Sequence, residues 1–146
     1  YPIEYLIVAE GMVKDKAAEK LLKLAKDSGC KILSVKPNMK FGTKKLVFTV
    51  LHPNSIIQTE VDRNSMSLVI SLEYDGFTGI FTGDIGTEQE QTLLEKYYLE
   101  NISSEKSSDS LCDIDFYKAA HHGSNASNSK EFLNLLSPKV TVISCS

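Results

Sequence analysis

Two residues, Asp75 and Gly76, separate two runs rich in β-forming residues, Ser67–Tyr74 and Phe77–Thr82. Asp-Gly favours the left-handed backbone of a two-residue hairpin turn. The chain is therefore expected to contain an antiparallel β-hairpin here. Its second strand delivers Thr82-Gly83-Asp84 to a sheet edge, directly before a helix.

The remaining segments predict a mixed α/β chain. Tyr5–Ala9, Lys31–Val35 and Leu46–Leu51 read as strands, as do Phe116–Ala120 and Val140–Ser144. A helix is expected over Val13–Asp27, where Val13, Ala17, Leu21, Leu24 and Ala25 recur at helical spacing. Its Lys16, Lys20 and Lys23 read as a solvated face. Thr87 and Glu90 suggest a capping box for a helix reaching about Leu99. Asn128 and Glu131 suggest a cap for a further helix ending near Leu136, before Pro138. Asn101–Ser110 is polar and Ser-rich and reads as a surface loop.

At 146 residues the chain is about one domain. No uncharged apolar run approaches the roughly 18 residues that a membrane helix needs. The first ten residues lack a basic segment and do not read as a signal peptide. A start at Tyr1 without Met suggests a piece of a longer chain. The net charge of −3 conceals an asymmetry. Residues 1–50 carry ten Lys and five acids, a balance of +5, whereas residues 51–146 carry six bases and fourteen acids, a balance of −8. Arg63 is the one Arg, so composition gives no strong nucleic-acid signal. Cys30, Cys112 and Cys145 form no CxxC pair and read as buried free thiols.

Two short segments hold most of the candidate chemistry. The Asp84 carboxylate, at a strand end beside Gly83, can bridge two metal ions; a turn residue at a helix start is the plainer reading. Gly83 permits close backbone approach. Ala120-His121-His122-Gly123-Ser124 ends a predicted strand with two adjacent imidazoles. Side chains diverge at a strand end, so at most one of the pair is expected to join Asp84 as a metal ligand. The other can act as a general acid or contact a phosphate. Without that context they read as half-buried histidines satisfied by backbone. Ser124 can contact phosphate oxygens, although capping is the plainer role. Arg63–Leu68 is a polar turn entering a strand, and its Asn64, Ser65 and Ser67 can line a site or simply bond backbone. His52 at a strand terminus reads as structural. There is no GxSxG elbow, P-loop or GxGxxG fingerprint. A Ser124–His122–Asp84 triad can be drawn on paper, with nothing in the sequence to support its geometry.

Taken in order, Ser67–Phe77, Phe81-Thr82-Gly83-Asp84-Ile85, Asp115–Ser124, Phe132-Leu133 and Pro138 before Val142-Ile143-Ser144 resemble one family. They are similar to the C-terminal part of the metallo-β-lactamase-fold hydrolase domain of ComEC competence proteins. Leu51-His52-Pro53 and Asn64 fit the same pattern. The resemblance runs from about residue 40 to the end, and the paired TGD and HHGS motifs carry most of its specificity.

The resemblance implies the C-terminal portion of an αββα sandwich, with residues 1–146 forming one truncated domain. It implies two divalent ions, Zn or Mn, in the intact domain. Asp84 and His122 would be ligands, and His121 a catalytic neighbour. Ser124 and Asn64 would be candidate substrate contacts. The intact protein would be a phosphodiesterase or DNA nuclease degrading one strand during DNA uptake, at the outer face of the cytoplasmic membrane.

The family's HxHxDH-type cluster is absent, since His52, His121 and His122 are the chain's three histidines. Weak or no metal binding and little activity are therefore expected of this piece alone. A small-molecule hydrolase of the same fold and a metal-free interaction module are the alternatives. Sheet surface left uncovered by truncation is expected to pack the remainder of the parent chain or a second copy.

Overall fold

The computed structural model describes residues 2–12, 16–53, 62–103 and 111–145, with the side chains of residues 98–103 left undescribed. The mixed α/β class expected from the sequence is the class observed. Strand β1 (Tyr5–Ala9), helix α1 (Lys16–Asp27) and strand β2 (Lys31–Val35) form one unit, with β1 and β2 parallel. Val13–Asp15, the expected first turn of α1, lie outside the described residues. Lys16, Lys20 and Lys23 are exposed as expected, but so are Leu21 and Leu24.

The main sheet has six strands in sequence order. β3 (Lys40–Gly42), β4 (Leu46–His52), β5 (Val69–Tyr74) and β6 (Phe77–Phe81) form an antiparallel meander. β7 (Phe116–Lys118) and β8 (Val140–Val142) continue it in parallel. Helix α2 (Thr87–Ser103) connects β6 to β7, and α3 (Lys130–Leu136) connects β7 to β8. The β5–β6 turn is the two-residue hairpin expected, with Asp75 at φ 48° and Gly76 at φ 81°. Strand β3 was not expected from its three residues.

Alternation along the strands sorts the two faces. Ile80 and Tyr117 pair across β6 and β7, and both face a core that includes Leu93 and Tyr97 of α2 and Phe132 and Leu136 of α3. The opposite face carries Tyr74, Phe77, Phe81, Val140 and Val142, all exposed, although Phe81 stacks obliquely on Phe116. One face is thus covered by helices and the other is apolar and partly bare.

Several local expectations are corrected. The Thr87/Glu90 capping box does not form. Gln89 Oε1 accepts instead from Gly86 N–H at 3.2 Å, one residue earlier. Glu90 is fully buried and accepts from the backbone of Asn128 and Ser129. The cap of α3 is Ser129, whose Oγ accepts from Phe132 N–H at 3.3 Å, rather than Asn128. Helix α2 runs past Leu99 to Ser103, into the segment expected to be a loop; residues 104–110 lie outside the described residues. Strand β7 ends at Lys118, because Ala120–Gly123 form a tight turn. Cys30 is buried, whereas Cys112 and Cys145 are exposed.

Candidate metal centre

The two motifs meet because β6 and β7 are parallel neighbours and both leave the sheet at the same edge. Phe81 pairs with Lys118, so TGD and AHHG begin side by side. Thr82, fully buried, donates its Oγ1–H to Lys118 O at 2.8 Å. His121 N–H donates to Gly83 O at 3.1 Å. Residues 36 and 38 apart in sequence are thereby joined.

Gly83 sits at φ +57°, and a Cβ there would lie 2.8 Å from Ser67 Cβ. The absent side chain lets the Ser67 strand entry press against the TGD turn. There Asp84 N–H donates to Ser67 Oγ at 3.1 Å. Asp84 is in this way held from the segment entering β5, while the β7 side presents the histidines. Asp84 Oδ2 lies 3.7 Å from His122 Nε2, and their side chains are 36% and 57% exposed. Such exposure leaves the pair open to solvent and to a ligand.

His121 and His122 are both left-handed, at φ 44° and 56°, and their ring centroids are 6.4 Å apart at 68°. His122 Nδ1 lies 2.7 Å from Ser144 O and 3.2 Å from Ser144 Oγ. A carbonyl only accepts, so Nδ1 carries a proton, and Nε2 is the nitrogen turned toward Asp84. An open cleft is lined by His121, His122, Gly123, Ser124, Ser144 and Cys145.

Ser124 is on the cleft wall, and its Oγ accepts from Ala126 N–H at 3.2 Å. No triad is assembled from Ser124, His122 and Asp84, because the His122 Nδ1 position is taken by Ser144. Asn64 begins the short 3-10 turn Asn64–Met66 that leads into Ser67, and the side chain that accepts from Asp84 N–H is that of Ser67. His52 is 6% exposed and donates Nε2–H to Ser65 O at 2.8 Å, fastening the same turn. Its burial lowers the pKa below the usual histidine value. A separate pocket of about 270 Å³ lies between α2 and the sheet, lined in part by Lys40, Ser71, Lys96 and Tyr97, and no expected site residue reaches it.

The donor chemistry fits a divalent ion as part of a site. A tetrahedral ion about 2.0–2.2 Å from a carboxylate oxygen and an imidazole nitrogen holds them roughly 3.4 Å apart. The 3.7 Å separation is close to that. Among the described residues, no three His, Cys, Asp or Glu side chains converge on one point. Among the same residues, no helix is long and apolar enough to cross a membrane.

No protein-family model matches the chain. It is 32% identical over 144 residues to ComE operon protein 3 of Bacillus subtilis (strain 168), covering 99% of this chain and 17% of that protein. It is 33% identical over 97 residues to Competence protein ComA of Neisseria gonorrhoeae, covering 66% of this chain and 12% of that protein. The chain thus spans under a fifth of the length of either relative. A solved structure of a metallo-beta-lactamase superfamily protein from Thermotoga maritima aligns over 96% of this chain and 59% of that one, at a TM-score of 0.43 and 15% identity.

Proposed function

For this chain, which is ComEC-like and homologous to one segment of the competence proteins, we propose a role as part of a metal-dependent phosphodiesterase acting on DNA during uptake. The observation that carries the reading is the meeting of Asp84 Oδ2 and His122 Nε2 at 3.7 Å, on an open sheet edge. The competence relatives support a role in DNA uptake, and we propose for the parent protein a place at the outer face of the cytoplasmic membrane. The remaining ligands would come from parts of the parent protein beyond these residues.

In this reading Asp84 and His122 hold the metal. A bound divalent ion would acidify a water and offset charge developing on a phosphate oxygen. Asp84 is oriented by its N–H on Ser67, and His122 by Ser144. His121 stands beside His122 on the cleft wall, where an imidazole can pass a proton to a leaving oxygen. Ser124 Oγ accepts from Ala126, and its hydroxyl is a donor suited to a phosphate oxygen. Asn64 is proposed only as a lining residue, through the turn it begins. The bare sheet face of Phe77, Phe81, Val140 and Val142 is proposed to pack the rest of the parent chain, or a second copy when that is absent.

A metal-free interaction module is the second reading, and the lack of a third convergent donor among the described residues favours it. The two separate in one assay. The parent protein, supplied with Mn²⁺, is expected to degrade single-stranded DNA, and Asp84→Ala to lower the rate by about 100-fold. The affinity for DNA is expected to fall steeply with salt. Degradation that survives Asp84→Ala contradicts the reading. Turnover of a small phosphodiester with no activity on DNA would favour a small-molecule hydrolase.

A further inference from the structure

His121, His122 and Gly123 have φ of 44°, 56° and 79° in succession. Left-handed backbone is unfavourable for a non-glycine residue, because Cβ crowds the following carbonyl. Two such residues in a row persist only where surrounding contacts enforce them. The enforcing contacts lie behind the cleft, on α2 and on the segment leading into α3.

Asn128 brackets the residue just before the histidines. Its Oδ1 accepts from Ala120 N–H at 2.9 Å, and its Nδ2 donates to Ala120 O at 3.0 Å. Tyr117 donates its hydroxyl to the same Oδ1 at 2.8 Å. Burial, assisted by the Glu90 charge, pushes the Tyr117 phenol up to about 12, so it remains a donor near neutrality. Asn128 is itself at φ 63°, a conformation Asn tolerates better than most residues. Its backbone N–H, and that of Ser129, are held by the fully buried carboxylate of Glu90.

From this chain of contacts we infer that Asn128, anchored by Glu90, is the positioning residue that sets how His122 presents Nε2 to Asp84. Neither residue lines the cleft. Each acts through Ala120 and the left-handed turn that follows it. The metal arm of the inference rests on the function proposed above; the orienting arm does not.

The test is carried out on the 146-residue chain. Long-range ¹H–¹⁵N spectra of the His122 imidazole, with no metal added, report its tautomer. The wild-type chain is expected to show one dominant form, with the proton on Nδ1. Asn128→Ala is expected to give a mixture of tautomers. Asn128→Gly relieves the left-handed backbone and retains the N–H to Glu90, so it keeps the test valid should the Ala variant fail to fold. It is expected to give the same mixture, with Mn²⁺ affinity lowered about 10- to 100-fold. An unchanged His122 tautomer in the folded Asn128→Gly chain overturns the inference. A tautomer that changes as expected, with no Mn²⁺ bound by any chain, supports the orienting role and counts against the metal reading alone.

Discussion

At the scale of single residues, the account turns on positions where one atom more or less decides the geometry. Gly83→Ala places a Cβ 2.8 Å from Ser67 Cβ at a left-handed φ. Strain and overpacking together are expected to cost about 2–4 kcal/mol, seen as a lower denaturation midpoint. His52 gives a pH signature. Its folded-state pKa is depressed by burial, while the unfolded chain takes up its proton near the usual value of about 6.5. Its contribution to stability is therefore complete above about pH 6.5 and lost as pH falls below it, toward the lowered folded value. His52→Gln is expected to flatten that part of the stability–pH curve, measured by urea unfolding between about pH 7.5 and 5.5. That Asp84 and His122 would lie close together was legible only from the two motifs taken as a pair, since each alone reads more plainly as a turn residue or a backbone-satisfied histidine. The role of Asn128 was not, because Asn serves equally as a cap, and Ser67 was legible only as one of several polar residues in its turn. Their roles depend on which backbone groups the fold brings opposite them.

At the scale of elements, the helix ends are where sequence and structure part. A capping box was expected at Thr87 and Glu90 because the spacing is right. The fold instead turns Glu90 inward, where its carboxylate serves the start of another helix. Glu90→Ala would leave two backbone N–H groups without that partner and is expected to cost about 2–4 kcal/mol, whereas Gln91→Ala, on the exposed side, is expected to stay within about 0.5 kcal/mol. Ser129→Ala removes the observed cap of α3 and is expected to cost about 1 kcal/mol by the same unfolding measurement. The hairpin was legible to within two residues, since Asp75-Gly76 specifies its turn locally. Strand β3 was not, because three residues carry too short a pattern and its pairing with β4 is a tertiary fact.

At the scale of the whole molecule, one sheet has one covered face. α2 and α3 bury Ile80 and Tyr117, while Tyr74, Phe77, Phe81, Val140 and Val142 remain exposed opposite. Such a surface is expected to associate in solution. Sedimentation of the isolated chain is expected to show an average mass that rises with concentration, and Phe81→Glu with Val142→Glu to remove that rise. The class of fold was legible in the order of strands and helices; which face would be bare was not, because alternation identifies two faces without saying what covers each. The central claim remains that Asp84 and His122 are part of a metal site. Its most direct test is calorimetric titration of Mn²⁺ into this chain and into a form extended upstream by roughly one hundred residues of its parent, each with and without Asp84→Ala. The account predicts weak binding by the chain, about two ions bound by the extended form, and loss of both with Asp84→Ala. An extended form that binds no metal, or binds it equally well without the Asp84 carboxylate, would contradict it.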